Sequence, residues 1–293
     1  FTGQGSQYVN MGKRLYETDE VFHAAIDRCA DISKGLLPKP ILDVIFTEDS
    51  ASLDQTQYSQ PAIFAIEYAL AEMWKARGVT PTYVLGHSVG EFAAAVAAGI
   101  MSVEDGMRLI AARGRLMTTE CEAGVGAMKA VFSSQADVEK AIDSIAKKNP
   151  KAREMVAVAG INGPKMCVVS GDKAVVDQVV EATGAGNRAL NVSHAFHSPL
   201  MAPMLEPFRK VVETATFKEA SGTRMISTLK GAEIAAVDAD YWVDHVKSAV
   251  RFLAGMKLLE AEGVETYVEI GSMPTLLGMG KRCFSSTAEW VSS

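Results

Sequence analysis

Between Val84 and Ala95 the chain reads VLGHSVGEFAAA, and this stretch restricts the fold more than any other. Val84-Leu85 has the form of a buried strand's end. The run EFAAAVAAGI is rich in alanine, the residue that loses least on entering a helix. Ser88 sits at the junction, with Gly86 and Gly90 two residues away on each side. A chain that passes from strand to helix across one serine must turn sharply, and the glycines remove side chains that would clash there. The pattern is the G-x-S-x-G elbow, which lifts a serine hydroxyl to the top of a sheet at a helix N-terminus. On these residues alone a second reading stays open: an ordinary strand–helix turn whose serine caps the helix.

The rest of the chain sets the frame. Its 293 residues allow one large domain, or a large one plus a small one. With a net charge of −6 and no basic run, nucleic acid is not expected as a partner. Four cysteines (Cys29, Cys121, Cys167 and Cys283) form no C-x-x-C and are expected as reduced, buried thiols. The longest apolar run, Phe92–Met101, is too short to span a bilayer and carries Glu91 at its head, so no membrane partner is expected. No signal peptide is visible, and a cytoplasmic location follows as the expectation. Phe1 is not an initiator methionine and the chain opens on a strand-like residue, so we expect it to be part of something longer.

Strand and helix signals alternate. FTGQGSQ reads as a strand remnant with a glycine-rich loop, followed by helix through Ala30. QPAIFAIEYALAEMWKARG has helical apolar spacing and stops at Gly78; TYVLG is a short strand before the elbow, and VEDGMRLIAARGRLMTTE is a further helix. Such alternation predicts an α/β domain with a mainly parallel sheet. From Gly124 to Ser193 the texture changes. GAMKAVF, MVAVAGI, KMCVVSG and RALNVS read as strands, and SSQADVEKAIDSIAKK and DKAVVDQVVEATG as helices. The order β-α-β-β-α-β is the ferredoxin-like split motif. We expect 124–194 to be a small subdomain inserted into a large one formed by 1–123 and 195–293, with RMIST and TYVEIG as late strands.

A serine nucleophile needs a base within reach, and the five histidines are the candidates. His23 lies in a helix far from any motif, and His87 belongs to the elbow. His194 and His197 fall in NVSHAFHSPLM, where the chain leaves the small subdomain, and His245 lies in YWVDHVKSAVRF. His197 and His245 are both credible bases. The H-x-x-H pair finds no cysteine or carboxylate cluster to complete it, so no metal is expected.

Taken in order, FTGQGSQY, LDQTQYSQPAIFAIEYAL, GHSVGE, RGRLM, INGP, VSHAFHSPLM, YWVDHVKSAVRF and EIGSMPTLL resemble the successive blocks of the acyltransferase domains of polyketide synthases, relatives of the malonyl-CoA:acyl-carrier-protein transacylases. The resemblance covers nearly the whole chain and implies an α/β-hydrolase-like large subdomain with the ferredoxin-like insertion. It makes Ser88 the nucleophile and His197 its base, the latter oriented by a backbone carbonyl assigned here to His245. The backbone N–H groups of Val89 and Gln4 would form an oxyanion hole, each such donor worth about 3 kcal/mol. Gln4 and Gln60 would line the acyl pocket, and Asn162 would lie near its mouth. Arg113 would hold a malonyl carboxylate bidentately. HAFH resembles the malonyl-selective form of a motif whose methylmalonyl form reads YASH; His194 and Phe196 would then shape the pocket, with Phe196 filling the space an α-methyl needs.

The implied reaction transfers malonyl from malonyl-CoA to the phosphopantetheine of an acyl carrier protein, with ketosynthase and linker domains as neighbours and no bound cofactor. The chain departs from the usual blocks at Thr118, Ala249 and Ser272. Two competing functions are an α/β-hydrolase such as a thioesterase, which would leave Arg113 unexplained, and a non-catalytic docking module, which would not need Ser88, His197 and Arg113 together.

Overall fold

The computed structural model describes residues 1–284 and 287–293. Its strands in chain order are β1 Tyr83–Leu85, β2 Gly126–Val131, β3 Val156–Gly163, β4 Met166–Asp172, β5 Asn187–Ala189, β6 Arg224–Ser227, β7 Ala232–Ile234, β8 Thr266–Glu269 and β9 Glu289–Ser292.

The large subdomain is built on two strand groups that the N-terminal residues join. β1 pairs parallel with β6 and β6 antiparallel with β7, while β8 pairs parallel with β9. Phe1 N donates to Leu85 O at 2.8 Å, His87 N to Phe1 O at 3.0 Å and Thr2 N to Ile270 O at 3.2 Å. The first two residues therefore lie between β1 and β8 and bring the glycine-rich loop to the elbow. The short strands β7 and β9 carry too few apolar residues to be foreseen.

Helix Thr56–Ala76 runs through the middle of the core, buried nearly all round, as expected of a helix apolar on every face. It begins four residues before the expected start at Gln60 and keeps Pro61 inside its body. A proline usually opens a helix; here burial of Thr56, Tyr58, Ser59 and Gln60 outweighs the hydrogen bond that Pro61 cannot make. Helix Val103–Glu120 packs against it, capped by Ser102, whose Oγ accepts from Asp105 N at 3.0 Å.

The small subdomain matches its expected motif. Its sheet has the order β3-β4-β2-β5, every pair antiparallel, and helices Gln135–Lys148 and Lys173–Thr183 pack on it through a separate core that includes Val131, Val138, Ile142, Val169 and Val176. Ser134 and Asp172 cap the two helices. β5 ends at Ala189 instead of continuing through NVS, because the chain turns there into the HAFH segment. Gly124 N donates to Ser193 O at 3.2 Å, so the chain enters and leaves this unit side by side. The four cysteines are free and buried, and no helix among the described residues is long and apolar enough to cross a membrane.

Two glycine substitutions separate steric from conformational cost. A Cβ on Gly90 would lie 2.2 Å from Thr2 O, backbone that cannot yield, whereas Gly184 sits in open space at φ 60°. Gly90→Ala should cost roughly 3 kcal/mol or more through overpacking, and Gly184→Ala about 1 kcal/mol through its left-handed backbone. Urea unfolding of both variants checks the order; equal costs would contradict it.

Candidate active site

The elbow shows why glycines flank Ser88. A Cβ on Gly86 would lie 2.2 Å from Gly90 C and Glu91 N, where the helix folds back over the strand. A Cβ on Gly90 would strike the loop that begins at Thr2. Between them Ser88 takes φ 53°, a left-handed conformation that costs a non-glycine residue about 1–3 kcal/mol. Gly90 N and Glu91 N close the turn on His87 O and Ser88 O at 3.1 and 3.0 Å.

The second left-handed residue on this site is His197, at φ 55°. Its turn is braced by Ser198 Oγ donating to Ala195 O at 2.6 Å and by Phe196 N donating to His194 O at 3.1 Å. Ser88 Oγ and His197 Nε2 are 2.7 Å apart. On the far side of the ring His197 Nδ1 is 2.8 Å from Ser248 O. A carbonyl can only accept, so Nδ1 carries the proton and Nε2 presents its lone pair to the serine hydroxyl.

This corrects the expectation that His245 supplies the orienting carbonyl. His245 is the seventh residue of helix Ala239–Lys247, and the chain must leave that helix before a carbonyl can point at His197. The departure comes at Ser248, just before Val250 joins β3: Val250 N donates to Ala159 O at 2.9 Å and Ile161 N to Val250 O at 2.8 Å. The role falls to main chain three residues further on, and a backbone carbonyl leaves no mark on residue type.

His245 is instead buried beside Glu91. Its Nε2 lies 3.6 Å from Glu91 Oε2, beyond an ordinary hydrogen bond, and its ring packs edge-on against His197 at 6.0 Å. Glu91 also accepts from Thr228 N at 3.1 Å, from Thr228 Oγ1 and from Tyr241 OH. Burial alone would raise its pKa, but His245, Thr228 and Tyr241 together hold it below the usual carboxylate value. Glu91 thus ties the first turn after Ser88 to the helix that leads into Ser248. It stands three residues from the serine, yet no charge pattern in the sequence marks the contact.

Arg113 lies in the core at 1% exposure. Its Nη1 donates to Gln60 Oε1 at 2.8 Å, while Nε and Nη2 have no partner among the described residues. Gln60 Nε2 continues to Gln4 Oε1 at 3.3 Å, so Arg113, Gln60 and Gln4 form one line. Burial pushes the guanidinium down to about 9, which still leaves it a cation at neutral pH. His197 is held well below its ordinary 6.5, first by burial and next by the nearby charge of Arg113, with His245 and His87 acting in the same direction. The imidazole is therefore neutral, the form that can take a proton from Ser88.

Val89 and Gln4 face no acceptor with their amides among the described residues. Phe196 is buried, its ring tilted against His194 at 6.1 Å. His194 Nδ1 bonds Ser193 Oγ at 2.9 Å. Asn162 reaches from β3 into the elbow, its Oδ1 accepting from His87 Nε2 at 2.9 Å. A separate cavity of about 940 Å³ between β1 and β8 is walled by Val84, Leu85, Val268 and Trp290 and touches none of Ser88, His197 or Arg113.

The family model for the acyl transferase domain matches residues 1–293. The chain is 40% identical over 293 residues to polyketide synthase GfsA of Streptomyces halstedii, covering 97% of itself and 4% of that protein. It is 41% identical over 294 residues to the PKS-NRPS hybrid synthetase ATPKS of Aspergillus niger, covering 97% of itself and 15% of that protein. The chain therefore spans a small part of either relative. Among solved structures, the acyltransferase domain from the second module of the salinomycin polyketide synthase superposes with a TM-score of 0.90 at 39% identity, covering 99% of this chain and 66% of that one. MCAT from Streptococcus pneumoniae superposes with a TM-score of 0.91 at 29% identity, covering 100% and 94%. The chain belongs to the acyl transferase domain family.

Proposed function

We propose that the chain moves a malonyl group from malonyl-CoA to the phosphopantetheine thiol of an acyl carrier protein, through an ester on Ser88. Arg113 carries this reading. A buried guanidinium with Nε and Nη2 unpartnered among the described residues is costly, and a carboxylate fits its planar fork with two parallel charge-assisted hydrogen bonds. A malonyl group ends in such a carboxylate; an acetyl or fatty acyl group does not. The polyketide synthases named above, and the malonyl CoA-acyl carrier protein transacylase from Clostridium perfringens, which superposes with a TM-score of 0.91 at 25% identity, support the same class of substrate and partner. Ketosynthase and linker domains of a larger synthase are the neighbours this reading implies.

The chemistry follows from the atoms. Ser88 Oγ attacks the thioester carbonyl while its proton passes to His197 Nε2, the charged oxygen being met by the amides of Val89 and Gln4. The C–S bond then breaks, and CoA leaves with the proton from His197. The carrier thiol attacks the ester, returns a proton through the same imidazole, and the C–O bond breaks to restore Ser88. The Ser248 carbonyl keeps His197 in the required tautomer throughout, so no acidic third residue is needed. Phe196 walls the space beside the α-carbon and disfavours a methyl there by about 1–3 kcal/mol. Asn162 and His194 complete the surroundings.

Intact-mass analysis after incubation with malonyl-CoA should show one malonyl adduct, mapped to Ser88 and absent from Ser88→Ala, with methylmalonyl-CoA reacting more slowly. A stable adduct on another residue would overturn the assignment. For Arg113→Ala, malonyl transfer should fall by roughly 3 kcal/mol, about a hundredfold or more in kcat/KM, while acetyl transfer changes little. Equal losses would mean that Arg113 serves the fold.

The acylation kcat/KM should also report the neutral fraction of His197. Because its pKa lies well below 6.5, the rate should stay level as the pH falls through 6.5 and drop only at lower pH. Removing the Arg113 charge makes protonation of His197 easier, so the acid limb of Arg113→Ala, followed with acetyl-CoA, should move to higher pH. An unmoved limb would separate the two residues.

A further inference from the structure

Glu67 is the costly buried group that the proposed reaction does not use. It is 0% exposed on the central helix, between Ile66 and Tyr68; its Oε1 accepts from Thr2 Oγ1 at 2.7 Å and its Oε2 has no hydrogen-bond partner of normal geometry among the described residues. Burial pushes its carboxyl up to about 8, so it is mostly protonated at neutral pH. An acid in such a place costs stability that an apolar residue would not.

Its partner among the described residues, Thr2, opens the loop that carries Gln4. Thr2 Oγ1 lies 3.2 Å from Ser6 Oγ, and Ser6 Oγ donates to Gly3 O at 3.0 Å. At the other end Ser272 Oγ donates to Ser6 O at 2.6 Å. Ser272 is one of the three departures from the usual blocks, and here its hydroxyl gives the loop an anchor. The loop is also closely packed at two further points, although its Gly5 tip is open: a Cβ on Gly271 would lie 2.3 Å from Thr2 Cγ2, and one on Gly3 would lie 2.8 Å from His87 O. With no acceptor of its own among the described residues, the Gln4 amide is aimed only by what holds the loop around it.

We propose that Glu67 and Ser272 are positioning residues that fix the Thr2–Gln7 loop from its two ends, and through it the amide of Gln4. The proposal rests on the reading above in one respect, that Gln4 N–H meets the charged oxygen. An amide displaced by a fraction of an ångström weakens that oxygen's stabilisation without changing how the substrate docks, so the effect belongs in the acylation rate at saturation.

The test is the rate of Ser88 acylation by malonyl-CoA and, separately, by p-nitrophenyl acetate, which needs the oxyanion donors but no carboxylate clamp. Thr2→Val and Glu67→Leu should each slow the saturated rate about tenfold on both substrates, with half-saturation unchanged; this is a fraction of the hundredfold or more that loss of a whole donor costs. Because the two residues share one hydrogen bond, the double variant should be no slower than the slower single variant. Glu67→Gln, neutral and still able to accept from Thr2, should recover most of the loss relative to Glu67→Leu. Ser272→Ala, on a partly exposed residue, should slow acylation about threefold by the same route and carries the test if Glu67→Leu does not fold. Lower melting temperatures with unchanged acylation rates, or additive losses for Thr2 and Glu67, would overturn the proposal. Wild-type protein that reacts with the ester and not with malonyl-CoA would overturn the malonyl assignment alone, and the ester rates would still decide the positioning role.

Discussion

The hydrogen bond between Ser88 and His197 joins residues 109 apart, one on a strand–helix turn and the other in the segment that leaves the small subdomain. Both residues stand in left-handed backbone conformations, which no local preference stabilises. Each is held by its surroundings: the elbow by close backbone approaches at Gly86 and Gly90, the HAFH turn by Ser198 and by the Ser248 carbonyl behind the imidazole. Strain at two points is thus supported by the packing of the large subdomain. The result is a serine and a neutral imidazole already at bonding distance, with no rearrangement to make.

Polar burial around this pair follows a consistent division. Glu91 is nearly satisfied, with Thr228 and Tyr241 on its oxygens and His245 close by, and it links the nucleophile's helix to the one that ends at Ser248. Arg113 is the opposite case, cationic and buried, with Nε and Nη2 unpaired among the described residues. Polar groups in protein interiors are nearly always satisfied, so an unpaired one in line with Gln60 and Gln4 points to something that arrives from outside. The same cation helps to keep His197 unprotonated. A carboxylate docking there would offset the charge of Arg113 and make the imidazole a better proton acceptor as the substrate binds.

The small subdomain contributes less chemistry than geometry. β3 holds Asn162 against His87 and pairs with Val250, and that pairing sets where the Ser248 carbonyl falls. The insertion therefore acts on the base through main chain, although its own core is separate from that of the large subdomain. Substitutions at Ala249 or in β3 should be judged by what they do to that carbonyl.

The residues alone determined the features that depend on local rules. Periodicity and caps located helix Val103–Glu120 to the residue and the β-α-β-β-α-β order of the insertion, and the glycine spacing marked the sharp turn at Ser88. Side-chain chemistry, together with family resemblance, singled out His197 and Arg113. Tertiary structure decided what depends on main chain and on distant packing. The orienting carbonyl is Ser248 and not His245, because a carbonyl is present at every residue and only the path of the chain decides which one faces the ring. Likewise the bonds from Thr2 to Glu67 and from Ser272 to Ser6 cross 65 and 266 residues, so they exist only once the core has brought those segments together.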